Sequence, residues 1–527
     1  SRSGLYIRSS ICKWKGVMNR PERSVAVHVA RGASYIFLQN IATNIMMVVS
    51  FAILARLITP VEMGGMAVLL MVIGASRVIA CLGMSSSVTK FIAESMAKND
   101  RVAAAGVFYQ AMRTSLLVSL PVAATVFWSA NFLSTWLLGT LERAILFQIL
   151  ALGIVVGAGL LPVLNGVMLG LQRIRQMSMI NLVYMAIRQS LIVVFTFVTR
   201  SLLGLVMAWV VSEFVVVLAF LWYIGSNIGA PRFTFNLRRL VRFSFPLLLQ
   251  DAANYVYAWF DQVALLTYLS LESLGVYTTA ITAFGVLGGV AGAIGTSLFP
   301  TYSAMRGEHG SQVLGDSIRG ATRYLCLIVM PLGFGLFSTA KSSLTLFVGD
   351  AYASGAGPLM TLSMFFALTL MSTALSGLLL VLGETVLSFE LTVLNIAVGV
   401  ASTSLLLPSL GMVGASIARG ITMAVGLVAA TIVLKRRIRV SFDVEAFWKC
   451  LVSSVVMAAV VLFAQAYYDS KYLLPAYVAL GGLVYFAMLL LLRAVKPQDV
   501  QLLREYLGSR FRFIVKPLEW LVTGSGN

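Results

Sequence analysis

Four arginines sit in the middle of long apolar runs: Arg77 (within AVLLMVIGASRVIACLG), Arg113, Arg188 and Arg419. A translocon scale assigns an arginine at the centre of a spanning helix a cost of about 2.5–3.5 kcal/mol. Each therefore needs water or an anion beside it. The guanidinium is a planar fork of donors that matches phosphate oxygens, so binding a phosphorylated substrate is the first chemistry these positions could do. The alternative is structural pairing with the acids of the same apolar runs, Glu213, Asp251, Asp261 and Glu390. Arg77, Arg113 and Arg188 all belong to the first half of the chain, which biases an anion site towards that half.

A second pattern is the stripe Gln250, Asn254, Tyr257 and Asp261, with spacings of 4, 3 and 4. At about 100° per residue these lie on one narrow face of a helix. Facing a cavity, the stripe could hydrogen-bond sugar hydroxyls, or Asp261 could bind a coupling sodium ion or proton, with Asp251 as a weaker companion. Facing another helix, it would be a hydrogen-bond seam. Other chemistry is poorly provided for. The two histidines, His28 and His309, lie outside the apolar runs, and the four cysteines, Cys12, Cys81, Cys326 and Cys450, are scattered singly. No metal-ligand or disulfide spacing arises, so no catalytic residue, metal or cofactor is expected beyond a coupling ion.

The elements that must position these residues are membrane-spanning helices. The chain has 527 residues, 59% hydrophobic and 11% charged, whereas soluble domains carry about 25% charged residues. Apolar stretches near 32–57, 64–83, 103–129, 144–170, 178–198, 201–225, 244–268, 275–304, 324–346, 357–382, 386–408, 411–434, 447–468 and 472–492 can each cross the bilayer, since about 20 helical residues suffice for a ~30 Å hydrocarbon core. They are continuously apolar, without the alternation of barrel strands. The expected fold is all-α, with about fourteen transmembrane helices.

Thirty lysines and arginines fall on the side that holds both ends of the chain and five on the other: Arg56, Arg143, Arg200, Lys341 and Lys471. The basic side is then cytoplasmic, which accounts for the net charge of +19 without nucleic acid. The first thirty residues are basic and lack the apolar run of a signal peptide, so they read as a cytoplasmic tail. Both basic tails could touch anionic headgroups.

Compared with itself at an offset of 211, the chain matches QNIATNIMMVVS from Gln39 with QDAANYVYAWFD from Gln250. Gln39 pairs with Gln250, Ala42 with Ala253, Ser50 with Asp261, Gly64 with Gly275 and Gly166 with Gly377; Gly204 pairs with Gly414 at 210. Two six-helix lobes of like orientation follow, a plan used by alternating-access transporters. The expected order is a basic tail (1–31), a first lobe (32–225), a basic linker (226–243), a second lobe (244–434), two further helices (446–492) and a second basic tail (493–527). The stripe of the first lobe, Gln39, Thr43, Met46 and Ser50, is less polar than its counterpart. Prolines such as Pro121, Pro162, Pro246, Pro300, Pro331 and Pro358 permit kinks. The segments SSSVTKFIAESMAKND and Arg306 to Arg323 are expected as short surface helices.

Several phrases resemble the polysaccharide biosynthesis flippases of the multidrug, oligosaccharidyl-lipid and polysaccharide exporter superfamily: LGMSSSVTKFIAES from Leu82, LRRLVRFSFPLLL from Leu237, FDQVALLTYLSLESLGVYTTA from Phe260, LFPTYSAM from Leu298 and LTLFVGDAYASGAGPL from Leu344. The likeness covers about residues 30–435 in the family's order. It implies two lobes around a cavity that opens alternately to either side, a cargo of sugars on a polyprenyl phosphate or pyrophosphate, and a place in the cell membrane, with glycan-assembly proteins as candidate partners. The last two helices and the basic C-terminal tail match nothing diagnostic. The main rival is a cation-coupled multidrug exporter of the same superfamily, which calls for an acidic rather than basic cavity. A membrane glycosyltransferase or polymerase is a second rival, disfavoured by short external loops with few acids.

Overall fold

A computed structural model describes residues 20–228, 236–308, 310–382, 384–436 and 441–494, with the backbone alone for 20–33, 226–228, 293–308, 310–317, 376–377 and 380–381. Residues 1–19 and 495–527 of the two tails, 229–235 of the linker and residue 309 lie outside the described residues, as do the side chain of Pro300 and most side chains of the stretch Arg306 to Arg323, whose described backbone is the end of one long helix and the start of the next rather than a separate surface helix. Among the described residues the chain is helical and contains no strand. Its helices are α1 (Arg20–Leu57), α2 (Pro60–Cys81), α3 (Met84–Ala97), α4 (Arg101–Trp128), α5 (Ala130–Leu138), α6 (Ala144–Gly153), a π-helical segment Ile154–Leu160, α7 (Leu161–Gly170), α8 (Ile174–Thr199) and α9 (Leu202–Ile228). There follow α10 (Leu237–Tyr268), α11 (Leu271–Glu308), α12 (Gly310–Phe347), α13 (Ala356–Thr369), α14 (Met371–Leu382), α15 (Thr385–Lys435), α16 (Val444–Tyr467) and α17 (Leu474–Leu491).

Twelve stretches among the described residues are long and apolar enough to cross a membrane, against about fourteen expected. The difference has two sources. Two expected spans share α15, which is broken at Gly411 (φ 58°, ψ −139°) just after Pro408. Helix α10 is long enough, but Arg238, Arg239, Arg242, Asp251 and Asp261 dilute its apolar content.

The first segment expected at the surface is instead packed. Leu82 and Gly83 turn left-handed after α2, and α3 then buries Met84, Ser87, Val88, Phe91, Ile92 and Ser95. Their spacing of 3, 1, 3, 1 and 3 is one helical face. Glycine lets that face approach α7: a Cβ at Gly166 would overlap the carbonyl oxygen of Ser85, and the Thr89 hydroxyl donates to the Gly166 carbonyl at 2.9 Å. Burial against a neighbouring helix, rather than amphipathic anchoring, claims the segment.

The repeat has a physical counterpart in backbone packing. A Cβ at Gly64 would overlap the Leu271 carbonyl oxygen, and one at Gly275 the Pro60 carbonyl oxygen. Both the glycines and the carbonyls are separated by 211 positions, so α2 and α11 cross through a reciprocal contact. The turns between α8 and α9 and within α15 repeat as well. Arg200 and Gly411 both have positive φ, Gly204 sits against the Phe195 carbonyl, and Gly414 against that of Leu406.

Around the α2–α11 crossing the two halves are tied further. Arg56 donates from Nε to the Phe347 carbonyl at 3.2 Å and also bonds the Leu346 carbonyl, and the Tyr352 hydroxyl donates to the Ile58 carbonyl at 3.3 Å. Helix α10 straddles the halves. Its first part meets α3 through the Ser87 and Ser244 hydroxyls, 2.7 Å apart, and its last part packs on α15. Pro246 lies near the changeover. The two final helices rest on α12, where Gln465 donates to the Ser338 carbonyl at 2.9 Å and the Tyr485 hydroxyl to that of Leu327 at 3.1 Å.

Two of the five cations on the sparsely basic side form local ion pairs: Lys341 with Asp469 at 3.0 Å and Lys471 with Asp350 at 2.6 Å. Single cysteines at Ser273 and Asp469, in a cysteine-free background, should react with an impermeant thiol reagent in intact cells, and cysteines at Gly310 and Ser441 should not. Labelling of the second pair would invert the orientation.

Candidate functional site

The second half holds a closed ion pair. Asp261 of α10 is fully buried, and Arg419 of α15 reaches it with Nε to Oδ2 and Nη2 to Oδ1, both at 2.6 Å. Arg419 Nη2 also donates to the Ala258 carbonyl at 2.8 Å. The Tyr277 hydroxyl of α11 donates to Asp261 Oδ2 at 2.6 Å and the Gln262 backbone N–H to Oδ1 at 2.9 Å. The guanidinium lies 5.3 Å from the centre of the Phe260 ring, and that ring fits because residue 399 is glycine, where a Cβ would come within 2.9 Å of it. Both carboxylate oxygens and the guanidinium fork are thus committed to one another. Of the two alternatives for Arg419, a phosphate or a buried acid, the arrangement seen here is the pair with Asp261.

The rest of the polar stripe is looser. Gln250 and Tyr257 are half-buried, while Asp251 and Asn254 are exposed. Gln250 Nε2 donates to Asn254 Oδ1 at 3.1 Å. Nearby, the Tyr255 hydroxyl donates to the Met71 carbonyl of α2 at 2.8 Å, which ties α10 to the helix that carries Arg77.

The first half carries an open cationic cluster. Arg188 of α8 is half-buried. Its Nη1 donates to the Tyr184 hydroxyl at 2.7 Å, and its guanidinium lies 5.8 Å from the Tyr184 ring centre and 5.7 Å from that of Trp209. Two aromatic faces and one hydroxyl seat it and leave donors over. Arg77 of α2 is exposed and is an electrostatic neighbour of Glu213, Tyr184 and Asp251. Arg113 of α4 is exposed as well. Glu213 of α9 is 9% exposed and lies against the π-helical segment, where a Cβ at Gly157 would overlap its carboxylate.

Arg77, Arg188 and Glu213 are therefore brought together, with Asp251 facing Arg77 from α10, while Arg419 and Asp261 form a separate centre. The two centres reflect divergence of the repeat. At an offset of 211 Arg188 corresponds to Gly399, and Ser50 to Asp261. One half has a cation where the other has the glycine that admits Phe260. Tyr184 and Trp209 were not singled out by sequence reading. Tyr184 carries a signal in standing four residues before Arg188, whereas Trp209 comes from another helix and carries none.

A second cationic feature lies where α3 meets the start of α10. Lys90, Phe91, Asn236, Arg238, Arg239, Arg242 and Phe243 line a hollow of about 930 Å³. Lys90 Nζ stands 4.0 Å from the Phe243 ring centre, and Glu94 lies 3.7 Å from Arg239.

A polysaccharide biosynthesis protein family model matches residues 29–306. Among curated proteins, the chain is 24% identical over 277 residues to a probable low-salt glycan biosynthesis flippase of Haloferax volcanii, covering 52% of this chain and 58% of that protein. It is 28% identical over 339 residues to the succinoglycan biosynthesis transport protein ExoT of Rhizobium meliloti, covering 62% of this chain and 63% of the relative. The chain thus spans somewhat under two thirds of the length of these relatives. Among solved structures, the lipid II flippase MurJ in an inward closed conformation superposes with a TM-score of 0.68 at 14% identity, over 91% of this chain and 100% of that one. An inward-facing multidrug resistance MATE family transporter gives 0.60 at 17% identity, over 75% and 95%. Those likenesses establish the fold.

Proposed function

Because this chain belongs to the polysaccharide biosynthesis protein family, we propose that it is a flippase that carries a polyprenyl-(pyro)phosphate-linked oligosaccharide from the cytoplasmic to the outer leaflet of the cell membrane by alternating access. The observation that carries this reading is the placement of Arg77, Arg113 and Arg188 in the membrane-embedded first half, where the acids in electrostatic contact with Arg77 are Glu213 and Asp251. The guanidinium donors of Arg77 and Arg188 in a low-dielectric setting suit a phosphate or diphosphate. The reciprocal glycine contact between α2 and α11 supplies a closable end, and the straddling α10 a link between the halves. The distribution of basic residues supports a cytoplasmic placement of both termini. Membrane lipids and glycan-assembly proteins are the expected partners, and a sodium ion or proton the expected coupling ion.

Deleting the gene tests the reading in cells. Surface glycan should be lost or incomplete while full-length lipid-linked precursor accumulates facing the cytoplasm. Normal glycan and precursor, with heightened sensitivity to cationic dyes, would instead mark a multidrug exporter of the same fold.

A further inference from the structure

Glu213 is a buried carboxylate to which the proposed transport cycle gives no task. It is 9% exposed, and among the described residues it makes no hydrogen bond. Its carboxylate rests against the backbone of Gly157, and a Cβ at Gly153 would come within 3.0 Å of Oε2. Gly153 at the end of α6 and Gly157 in the π-helical segment leave room for that carboxylate, since a Cβ at either position would crowd it. Its charged neighbours come from two helices, Arg188 on α8 and Arg77 on α2. Tyr184 on α8 is a further electrostatic neighbour. Of the other elements packed on α9, the helices and π segment over residues 144–170 bring no titratable side chain, and α4 brings Tyr109 and Arg113. The contrast with the other half is direct: Asp261 is locked to Arg419 by two short bonds, whereas Glu213 balances its arginines through space and leaves their donors open.

We propose that Glu213 is a proton-binding site that alternates with the substrate's phosphate as counter-ion of Arg188 and Arg77; this rests on the phosphate reading above. Without cargo, the ionised carboxylate, together with Asp251 of α10 on the Arg77 side, balances the two guanidiniums. When a phosphate takes their donors, Glu213 becomes a surplus anion in a low-dielectric slot. A buried carboxylate without a balancing cation is neutralised rather than left charged. The carboxylate takes one proton from water and becomes the carboxylic acid. When the cargo leaves, the proton is released and the carboxylate again faces the arginines. Cargo binding therefore takes up a proton, and proton loss favours release.

The test uses the full-length purified protein and a short-chain prenyl diphosphate sugar, a diester with no proton of its own to exchange near neutral pH. Calorimetric titration in two buffers of different ionisation enthalpy counts the protons taken up on binding. The wild type should take up close to one, and its affinity should rise towards about tenfold per unit fall in pH where Glu213 is ionised before binding. Glu213→Gln keeps the shape of the side chain, so it should bind with no proton uptake from this position and with affinity flat in pH. Arg188→Ala should bind roughly ten- to a hundredfold more weakly. If Glu213→Gln keeps the wild-type proton uptake and pH slope while Arg188→Ala binds roughly ten- to a hundredfold more weakly, the role of Glu213 is wrong and the phosphate reading stands. Wild-type binding by Arg188→Ala, with Arg77→Ala behaving likewise, would remove the phosphate reading and this inference together.

Discussion

Replacing Arg419 by alanine should cost about 3–5 kcal/mol of stability, because it leaves the fully buried Asp261 as an uncompensated charge. The expected outcome is a protein that inserts poorly or loses its monodisperse form in detergent well below the wild-type melting temperature. Asp261→Asn should cost less, since the neutral amide can still take the Tyr277 hydrogen bond. The double variant Asp261→Leu with Arg419→Met should recover much of the loss, because a packed apolar replacement of a buried pair is often neutral or better. Thermal unfolding of all four proteins separates the cases. If Arg419→Ala melts with the wild type, the closed pair is not a feature of the protein in the membrane. Transport by a folded double variant would also show that Asp261 holds the second half together rather than binding a coupling ion.

The second large effect concerns the open cluster. Removing one guanidinium from a phosphate forfeits charge-assisted bonds worth about 1.5–3 kcal/mol, or roughly ten- to a hundredfold in affinity. In the deletion strain, Arg188→Ala should restore the least surface glycan of the three single variants, with Arg77→Ala and Arg113→Ala intermediate, while all three are inserted normally. Arg188 leads because Tyr184 and Trp209 fix its orientation. Arg188→Lys should rescue only in part, since an ammonium keeps the charge and loses the bidentate fork. Full complementation by all three alanine variants would place the phosphate elsewhere.

The helical, membrane-spanning character of the chain was legible because every span must satisfy its own backbone in hydrocarbon, which forces long apolar runs. The repeat was legible too: Gly64 and Gly275 were paired from spacing, and the structure places each against the other repeat's carbonyl. What escaped was lateral. Whether Arg419 meets a phosphate or a carboxylate depends on a partner 158 positions away, and no periodicity reports on that. The polar stripe of α10 had the right spacing, yet one end is exposed and the other buried, because α15 covers only the latter part of the helix. The segment after α2 looked like a surface helix because it is polar at every third or fourth position; only the glycines of α7 show that a backbone, not a headgroup, lies against it. The π-helical segment and its contact with Glu213 left no mark beyond Gly153 and Gly157.

The central claim is tested most directly by reconstituting the purified protein into liposomes that carry a labelled prenyl-diphosphate oligosaccharide in one leaflet and following its appearance in the other with an impermeant lectin or glycosidase. The account predicts protein-dependent movement of the lipid-linked sugar, abolished or strongly slowed by Arg188→Ala, with no uptake of a cationic dye in the same vesicles. Dye transport without movement of the lipid-linked sugar, unaffected by Arg188→Ala, would contradict it.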